Sequence, residues 1–330
     1  MSIAVREADL ANDRDEIISF CRENLPNRPD AARFDWLYLR NPFGAARALM
    51  ARDNATGKTV GVASAFPRDF WVACQRVRVW VLGDFCISEE CRSLGPAVTL
   101  QRACMASLPS SDWWYDFPSV NMVAVYRRIG VPVFGKQIRH VKVLRRDRAA
   151  RALGALAATT VSSFGDWNLR RSCDRSARLT YSMHQGPFGG EFTDLDARAA
   201  TEQHVQGLRT AEFLNWRYRS NSDKEHLVFT ARQGTNLTGC LIVKLQDEEA
   251  TITDFFAIDE KNTLTGLIGR LVSFLFDTTV KRLNAPVMAG SGLTQYFRLA
   301  GFIPRESAPV MVCGPHPPRN WLLMQGDRES

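Results

Sequence analysis

Four short segments of this 330-residue chain occur twice, in the same order. They are an aromatic stretch, a glycine at the start of an apolar strand, an acidic strand end and a glycine that ends a helix. The pairs are residues 34–40 with 213–219, Gly61 with Gly239, 83–87 with 253–258, and 126–131 with 297–302. One contraction between the second and third pairs keeps all four in register, which indicates an internal duplication.

Each copy has the same pattern of expected elements. A helical opening leads into short apolar strands, and a strand–helix–strand–helix order follows. Val77, Val79 and Val81 alternate with more polar or bulky neighbours, which is typical of a strand. This order predicts an α/β fold of two similar halves, each a mixed, mostly antiparallel sheet flanked by helices. We expect an N-terminal domain over residues 1–147, a basic linker over 148–178 and a C-terminal domain over 179–330.

Composition excludes several classes of protein. Hydrophobic residues make up 45% of the chain and charged residues 23%, which is ordinary for a globular protein. Arg6 and Glu7 interrupt any secretory signal, and no run of about 18 apolar residues occurs, so we expect a cytoplasmic protein without a membrane span. The eight cysteines form no CxxC pair and the five histidines show no ligand spacing, so we expect reduced thiols and no metal site.

The net charge of +7 suits an anionic ligand, such as a coenzyme diphosphate, an acidic glycan or a nucleic acid. Basic residues concentrate in 139–151 and 170–178, but no aromatic residues are interleaved with them at regular spacing. We therefore interpret these stretches as a solvated linker face rather than a nucleic-acid patch.

A loop after the acidic strand end of the first copy has the chemistry of an anion site. Leu100, Cys104 and Leu108 recur at helical spacing, and the helix is expected to begin near Gly95. A strand that passes through small residues into a helix presents unpaired backbone N–H groups at the positive end of the helix dipole. Arg92 is placed to add a charge-assisted contact to a diphosphate.

This loop, Arg92-Ser93-Leu94-Gly95-Pro96-Ala97, resembles the [Q/R]xxGx[G/A] coenzyme-A loop of the GNAT superfamily of acyltransferases. The later segment 121–130, with Asn121, Tyr126 and Gly130, is similar to a second family segment, although its Asn-to-Tyr spacing is two residues shorter. The resemblance implies a tandem enzyme with acetyl-CoA as acyl-donor substrate. It also implies coenzyme contacts by Ile87, Arg92, Ser93, Leu94, Gly95, Pro96, Ala97 and Asn121, and protonation of the leaving thiolate by Tyr126. The second copy lacks the loop.

Other segments resemble bacterial acyltransferases of surface-glycan biosynthesis. They are residues 83–85, the duplicated Trp-x-Tyr segments, 319–321 and the Gly326-Asp327 pair. This resemblance implies a small-molecule or glycan amine as acceptor, for instance an amino sugar in polysaccharide biosynthesis.

Candidates for the general base are Asp84 first and Glu89 second, because a partly buried carboxylate at a strand end can have a raised pKa. Asp254, at the equivalent place in the second copy, instead favours a structural role for Asp84. The run Trp113-Trp114-Tyr115 is interpreted as core rather than as a sugar-stacking surface.

Three functions stay open. The first is a CoA-dependent N-acyltransferase. The second is a Fem-type transferase, which duplicates the same fold and uses aminoacyl-tRNA. The third is a protein that binds CoA or another ligand without catalysis.

Overall fold

A computed structural model of the chain describes residues 2–144, 179–220 and 226–329. The expected linker 148–178 lies outside the described residues, and the expected C-terminal domain begins at residue 179, the first described residue after it. No described helix has the length and apolar character needed to cross a bilayer.

The first copy of the repeat runs from β1 to β6. Its strands are β1 (Ile3–Glu7), β2 (Arg47–Asp53), β3 (Thr59–Val72), β4 (Gln75–Ile87), β5 (Trp113–Asp116) and β6 (Gly135–Val143). Its helices are α1 (Arg14–Asn24), α2 (Ala31–Phe34), which continues as a π-helical turn over Asp35–Leu39, α3 (Leu94–Ala106) and α4 (Val120–Ile129).

The second copy repeats this order with two additional short strands. Its strands are β7 (Thr180–His184), β8 (Val205–Gly207), β9 (His226–Gln233), β10 (Asn236–Gln246), β11 (Glu249–Ala257), β12 (Arg282–Met288), β13 (Ile303–Cys313) and β14 (Trp321–Leu322). Its helices are α5 (Gly190–Ala199), α6 (Ala211–Tyr218), α7 (Glu260–Leu275) and α8 (Leu293–Leu299).

The described strands form one sheet in the order β1-β2-β3-β4-β5-β13-β6-β12-β11-β10-β9-β7, with β8 paired to β3 and β14 paired to β8. The pairs β4–β5, β11–β12 and β8–β14 are parallel and the others antiparallel, which confirms the expected mixed, mostly antiparallel α/β fold. The two copies exchange a strand at the centre. β6 of the first copy lies between β12 and β13, and β13 of the second copy joins β6 to β5.

The two aromatic segments meet each other near the middle of the molecule. Trp36 Nε1 donates to the carbonyl of Trp216 at 2.8 Å, and Trp216 Nε1 donates back to the carbonyl of Trp36 at 3.0 Å. Their rings stack with centroids 4.6 Å apart. A reciprocal contact of this kind is what a two-fold axis between duplicated units produces. These tryptophans are packing residues, as the repeat predicts.

Equivalent glycines let one helix of each copy approach the sheet. A Cβ at Gly61 in β3 would lie 2.9 Å from Cδ2 of Leu100 in α3, and a Cβ at Gly239 in β10 would collide with Thr263 in α7. Gly130 and Gly301, which follow α4 and α8, both have positive φ, +92° and +83°. The duplicated glycines therefore have duplicated structural causes.

One face of the sheet is shared by the two copies and packs against α1, α2, α5 and α6, which form a shared core. On the opposite face, α3 and α4 cover the first copy, and α7 and α8 cover the second. The predicted stripe Leu100, Cys104 and Leu108 is buried. The interpretation of 139–151 as a solvated face is wrong for Lys142, which is fully buried in the central strand β6. Its ammonium donates to the carbonyl of Ala300 at 2.9 Å, at the end of α8.

Candidate functional site

Two parallel strands of the first copy, β4 and β5, separate toward their carboxyl ends. β4 pairs with β5 only over Val79–Val81, opposite Trp113–Tyr115. β4 then continues to Ile87, whereas β5 ends at Asp116. Beyond Val81, β4 has no β5 partner among the described residues, so its backbone groups on that side are available to an extended ligand. Both strands present their carboxyl ends here, which is where ligands bind in sheets of this kind.

The helix after β4 begins at this opening. A single 3₁₀ turn over Glu89–Cys91 leads to Ser93, the residue before α3. Arg92, Ser93, Leu94 and Gly95 are exposed, and a Cβ on Gly95 would meet nothing within 4 Å. The first N–H groups of a helix have no partner within it, so this end of α3 faces solvent with unpaired donors.

The remaining coenzyme residues of the expectation border the same opening. Ile87 is the last residue of β4, and Ala97 is buried at the base of α3. Pro96 occupies the first turn of α3, where its missing N–H breaks no helical bond. Asn121 is exposed in the first turn of α4, which packs beside α3. The structure thus brings the loop and Asn121 to one edge of the sheet.

Asp84 is held in a buried ion pair. It lies in a bulge of β4 with φ +46°, and its carboxylate accepts both guanidinium Nη groups of Arg33, at 2.7 and 2.8 Å. The hydroxyl of Tyr38 donates to the same carboxylate at 2.9 Å. In the second copy, Asp254 accepts Arg209 Nε at 2.6 Å and the Tyr218 hydroxyl at 2.8 Å. This equivalence favours the structural role that the repeat had suggested for Asp84.

Glu89, the second candidate base, is exposed in the 3₁₀ turn. Its carboxylate makes no hydrogen bond or ion pair among the contacts of the described residues. The structure does not bring it together with Tyr126.

Tyr126 is fully buried beneath the opening. Its hydroxyl donates to Asp116 Oδ2 at 2.6 Å and accepts from Gln101 Nε2 at 2.9 Å, and its ring stacks on Trp114. Burial, followed by the proximity of Asp116, raises the pKa of Tyr126 well above its ordinary value. Burial also raises the pKa of Asp116 to about 7.

Asp116 is a site residue that the sequence reasoning missed. It follows the apolar run Trp113-Trp114-Tyr115 directly, which is the same strand-end signal that drew attention to Asp84. Trp114 and Tyr115 are buried, in agreement with the core interpretation of this run.

The equivalent helix end of the second copy carries two carboxylates. Asp259 caps α7 and accepts from the N–H of Asn262 at 3.2 Å, and Glu260 follows in the first turn. Carboxylates at a helix N-terminus occupy its donors and repel a diphosphate. No group of three or more metal-ligating side chains occurs within the described ranges.

Comparisons with known proteins agree on the fold. No protein-family model matches this chain, and no curated protein matches it. A solved GCN5-related N-acetyltransferase from Anabaena variabilis is 12% identical with a TM-score of 0.66, over 94% of this chain and 72% of that one. A tandem GNAT protein from the clavulanic acid biosynthesis pathway is 14% identical with a TM-score of 0.58, over 96% of this chain and 100% of that one. N-myristoyltransferase from Saccharomyces cerevisiae, solved with bound myristoyl-CoA, is 12% identical with a TM-score of 0.52, over 94% and 82%. The chain has the fold of the GNAT acyltransferases, including a tandem member.

Proposed function

We propose that the protein is an N-acyltransferase that moves an acetyl or other acyl group from a CoA thioester to an amine. One observation carries the proposal: β4 and β5 separate where the exposed N-terminal end of α3 begins. The diphosphate of the coenzyme would bind at Arg92–Ala97, and the thioester arm would extend along the free side of β4. The neighbouring structures bind acyl-CoA or are acetyltransferases by name, which agrees with this assignment.

The reaction is a direct transfer. The nitrogen of a neutral amine attacks the thioester carbonyl carbon, a C–N bond forms, and the C–S bond breaks. A base takes the proton from nitrogen, and an acid returns a proton to the thiolate. Tyr126 is our candidate acid; because its hydroxyl hydrogen points to Asp116, proton delivery to sulfur requires the pair to act together.

The acceptor is proposed only as an amine. The amino-sugar hypothesis, which rests on the resemblance to glycan enzymes, selects the first compounds to test. Because Asp259 caps α7, the helix of the second copy that is equivalent to α3, we propose one coenzyme site per chain.

Titration calorimetry with acetyl-CoA tests the site. Arg92→Ala is expected to weaken binding about 10-fold to 100-fold, since a charge-assisted contact contributes about 1.5–3 kcal/mol. Its control is Arg102→Ala, because Arg102 is exposed like Arg92 but lies on α3, about two turns beyond the first residue of the helix. Gly95→Trp is expected to abolish binding, whereas Gly190→Trp, at the first residue of α5 with equally open space, is expected to leave it unchanged.

The alternatives predict other results. A Fem-type transferase would co-purify with RNA, visible as absorbance at 260 nm, and would not need acetyl-CoA. A non-catalytic protein would bind acetyl-CoA but would transfer no acetyl group to any amine, so no CoA would be released. No binding of acetyl-CoA by the wild type would refute the proposal.

A further inference from the structure

Residues 325–329, which we call the closing segment, lie against the strands of the first copy. Tyr115 in β5 donates its hydroxyl to the carbonyl of Asp327 at 2.6 Å. Arg328 places its guanidinium 4.1 Å from the ring centroid of Phe117 and donates to Gln137 at 2.9 Å. The segment therefore belongs to the second copy by sequence and packs on both copies, since Asp327 also accepts from Arg209.

The segment ends with Glu329 lying over Gly83. A Cβ built on Gly83 would collide with Cγ of Glu329 and would lie 3.0 Å from its Cδ and 3.2 Å from Phe66. Gly83 comes two residues after the last β4 residue that pairs with β5. Phe66 belongs to the shared core, on the face of the sheet opposite α3. Glu329 thus reaches the opening from the side opposite to the coenzyme loop.

The carboxyl group of Glu329 is buried and incompletely paired. Its Oε2 has no hydrogen-bond partner among the described residues. Burial raises its pKa above the ordinary value, and the nearby carboxylate of Asp84 acts in the same direction. The titratable and charged groups that face it are Asp84, Arg33, Arg328, Asp116, Tyr115 and Tyr126.

The other two carboxyl groups at the opening are already engaged. Asp84 accepts from Arg33 and Tyr38, and Asp116 accepts from Tyr126. An unpaired buried polar atom costs free energy unless a ligand or a reaction uses it.

We propose that Glu329 is the general base of the transfer, and this rests on the proposed function. Its carboxylate accepts a proton from the acceptor nitrogen as the C–N bond to the acyl carbon forms. The C–S bond breaks, and the thiolate takes a proton from the Tyr126–Asp116 pair on the other face. Acceptor and acyl donor enter from opposite faces of the sheet.

The test compares Glu329→Gln with the wild type and with Glu202→Gln, an exposed control. CoA release from acetyl-CoA is followed with a thiol reagent, using amino sugars, diamines, amino acids and water as acceptors. We expect kcat to fall about 10²-fold to 10⁴-fold in Glu329→Gln while the acetyl-CoA Kd stays unchanged. In the wild type, kcat/KM should rise with pH as Glu329 ionises and as the acceptor amine loses its proton; Glu329→Gln should keep only the rise that belongs to the amine.

Gly83→Ala gives an independent check, because the new methyl group displaces Glu329 without removing its charge. It is expected to lower kcat, and the double variant Gly83→Ala/Glu329→Gln is expected to lose little more than Glu329→Gln alone. Thermal unfolding verifies that each variant is folded.

The outcomes separate the two proposals. Wild-type turnover with an unchanged kcat and pH profile in Glu329→Gln overturns the role of Glu329 and leaves the acyltransferase intact. Acetyl-CoA binding without CoA release, or no binding at all, overturns the proposed function and the base together.

Discussion

Replacing Asp84 by Asn distinguishes a structural carboxylate from a catalytic one. Only 5% of the Asp84 side chain and 17% of the Arg33 side chain are exposed, and the pair is bidentate at 2.7 and 2.8 Å. An amide in place of the carboxylate keeps one acceptor but turns an NH₂ group toward the guanidinium donors. Removing one partner of a buried pair costs about 3–5 kcal/mol. Because Arg33 is partly exposed, we expect about 3 kcal/mol.

Urea unfolding at neutral pH measures this cost. Arg33→Met should cost a similar amount, because it leaves Asp84 buried without its cation. The double variant removes both charges, so its cost should fall short of the sum by about 2 kcal/mol or more. Asp254→Asn serves as a comparison: Arg209 also pairs with Asp327, at 2.8 Å, and so keeps one carboxylate. We therefore expect Asp254→Asn to destabilise the protein less than its complete burial suggests.

Turnover of the folded Asp84→Asn protein completes the test. With Asp84 as a structural residue, kcat per folded molecule should stay within a few fold of the wild type. A loss of less than 1 kcal/mol in unfolding free energy, together with a 100-fold drop in kcat, would refute this reasoning and restore Asp84 as the base.

Three further predictions concern stability. Arg68 is fully buried, with its guanidinium carbon 4.9 Å from the ring centroid of Trp216, and its guanidinium nitrogens have no hydrogen-bond partner among the described residues. Arg68→Met should therefore leave the unfolding free energy unchanged or raise it by about 1–2 kcal/mol. A loss above about 2 kcal/mol would contradict this. Asp116 has a folded pKa near 7 against an ordinary 3.8, so its contribution to stability is present below pH 3.8 and is lost as pH rises through 7. The unfolding free energy of Asp116→Asn, measured by denaturation at a series of pH values, should therefore rise relative to that of the wild type by roughly 1.4 kcal/mol per pH unit over that window. A difference that does not change with pH would contradict this. Because β6 and β13 are exchanged between the copies, neither half should unfold cooperatively when residues 1–147 and 179–330 are expressed separately. Co-expression of the two halves should restore a cooperative transition. A stable monomer of residues 1–147 would contradict this prediction.

Much of the fold follows from the sequence because the repeat encodes it twice. Gly61 and Gly239 report the close approach of a helix to each sheet, and the helix stripe from Leu100 to Leu108 reports its buried face. Local periodicity also places the start of α3 within one residue of Gly95. These features depend on neighbours in sequence, which a pattern can detect.

The roles of the carboxylates depend on distant partners instead. Asp84 looked available because Arg33, its counter-ion, lies 51 residues earlier in the chain. The sequence does not single out Glu329 because the resemblance stops at Gly326-Asp327, and only the folded chain brings Glu329 over Gly83. Lys142 was interpreted as solvated because strand exchange, which buries β6, leaves no periodic signal.

Strand exchange also gives the second copy a structural part in the opening of the first. β13 pairs with β5 through Met311–Cys313 and so supports the short strand that carries Asp116. The closing segment, which follows β13, is held by the β5 hydroxyl of Tyr115 and by Arg217 of α6, at 2.7 Å to the carbonyl of Arg328. Deleting the second copy would thus remove an internal sheet neighbour and Glu329 from the site of the first. On the proposed role of Glu329, a duplicated chain of this kind keeps both halves because one site is divided between them.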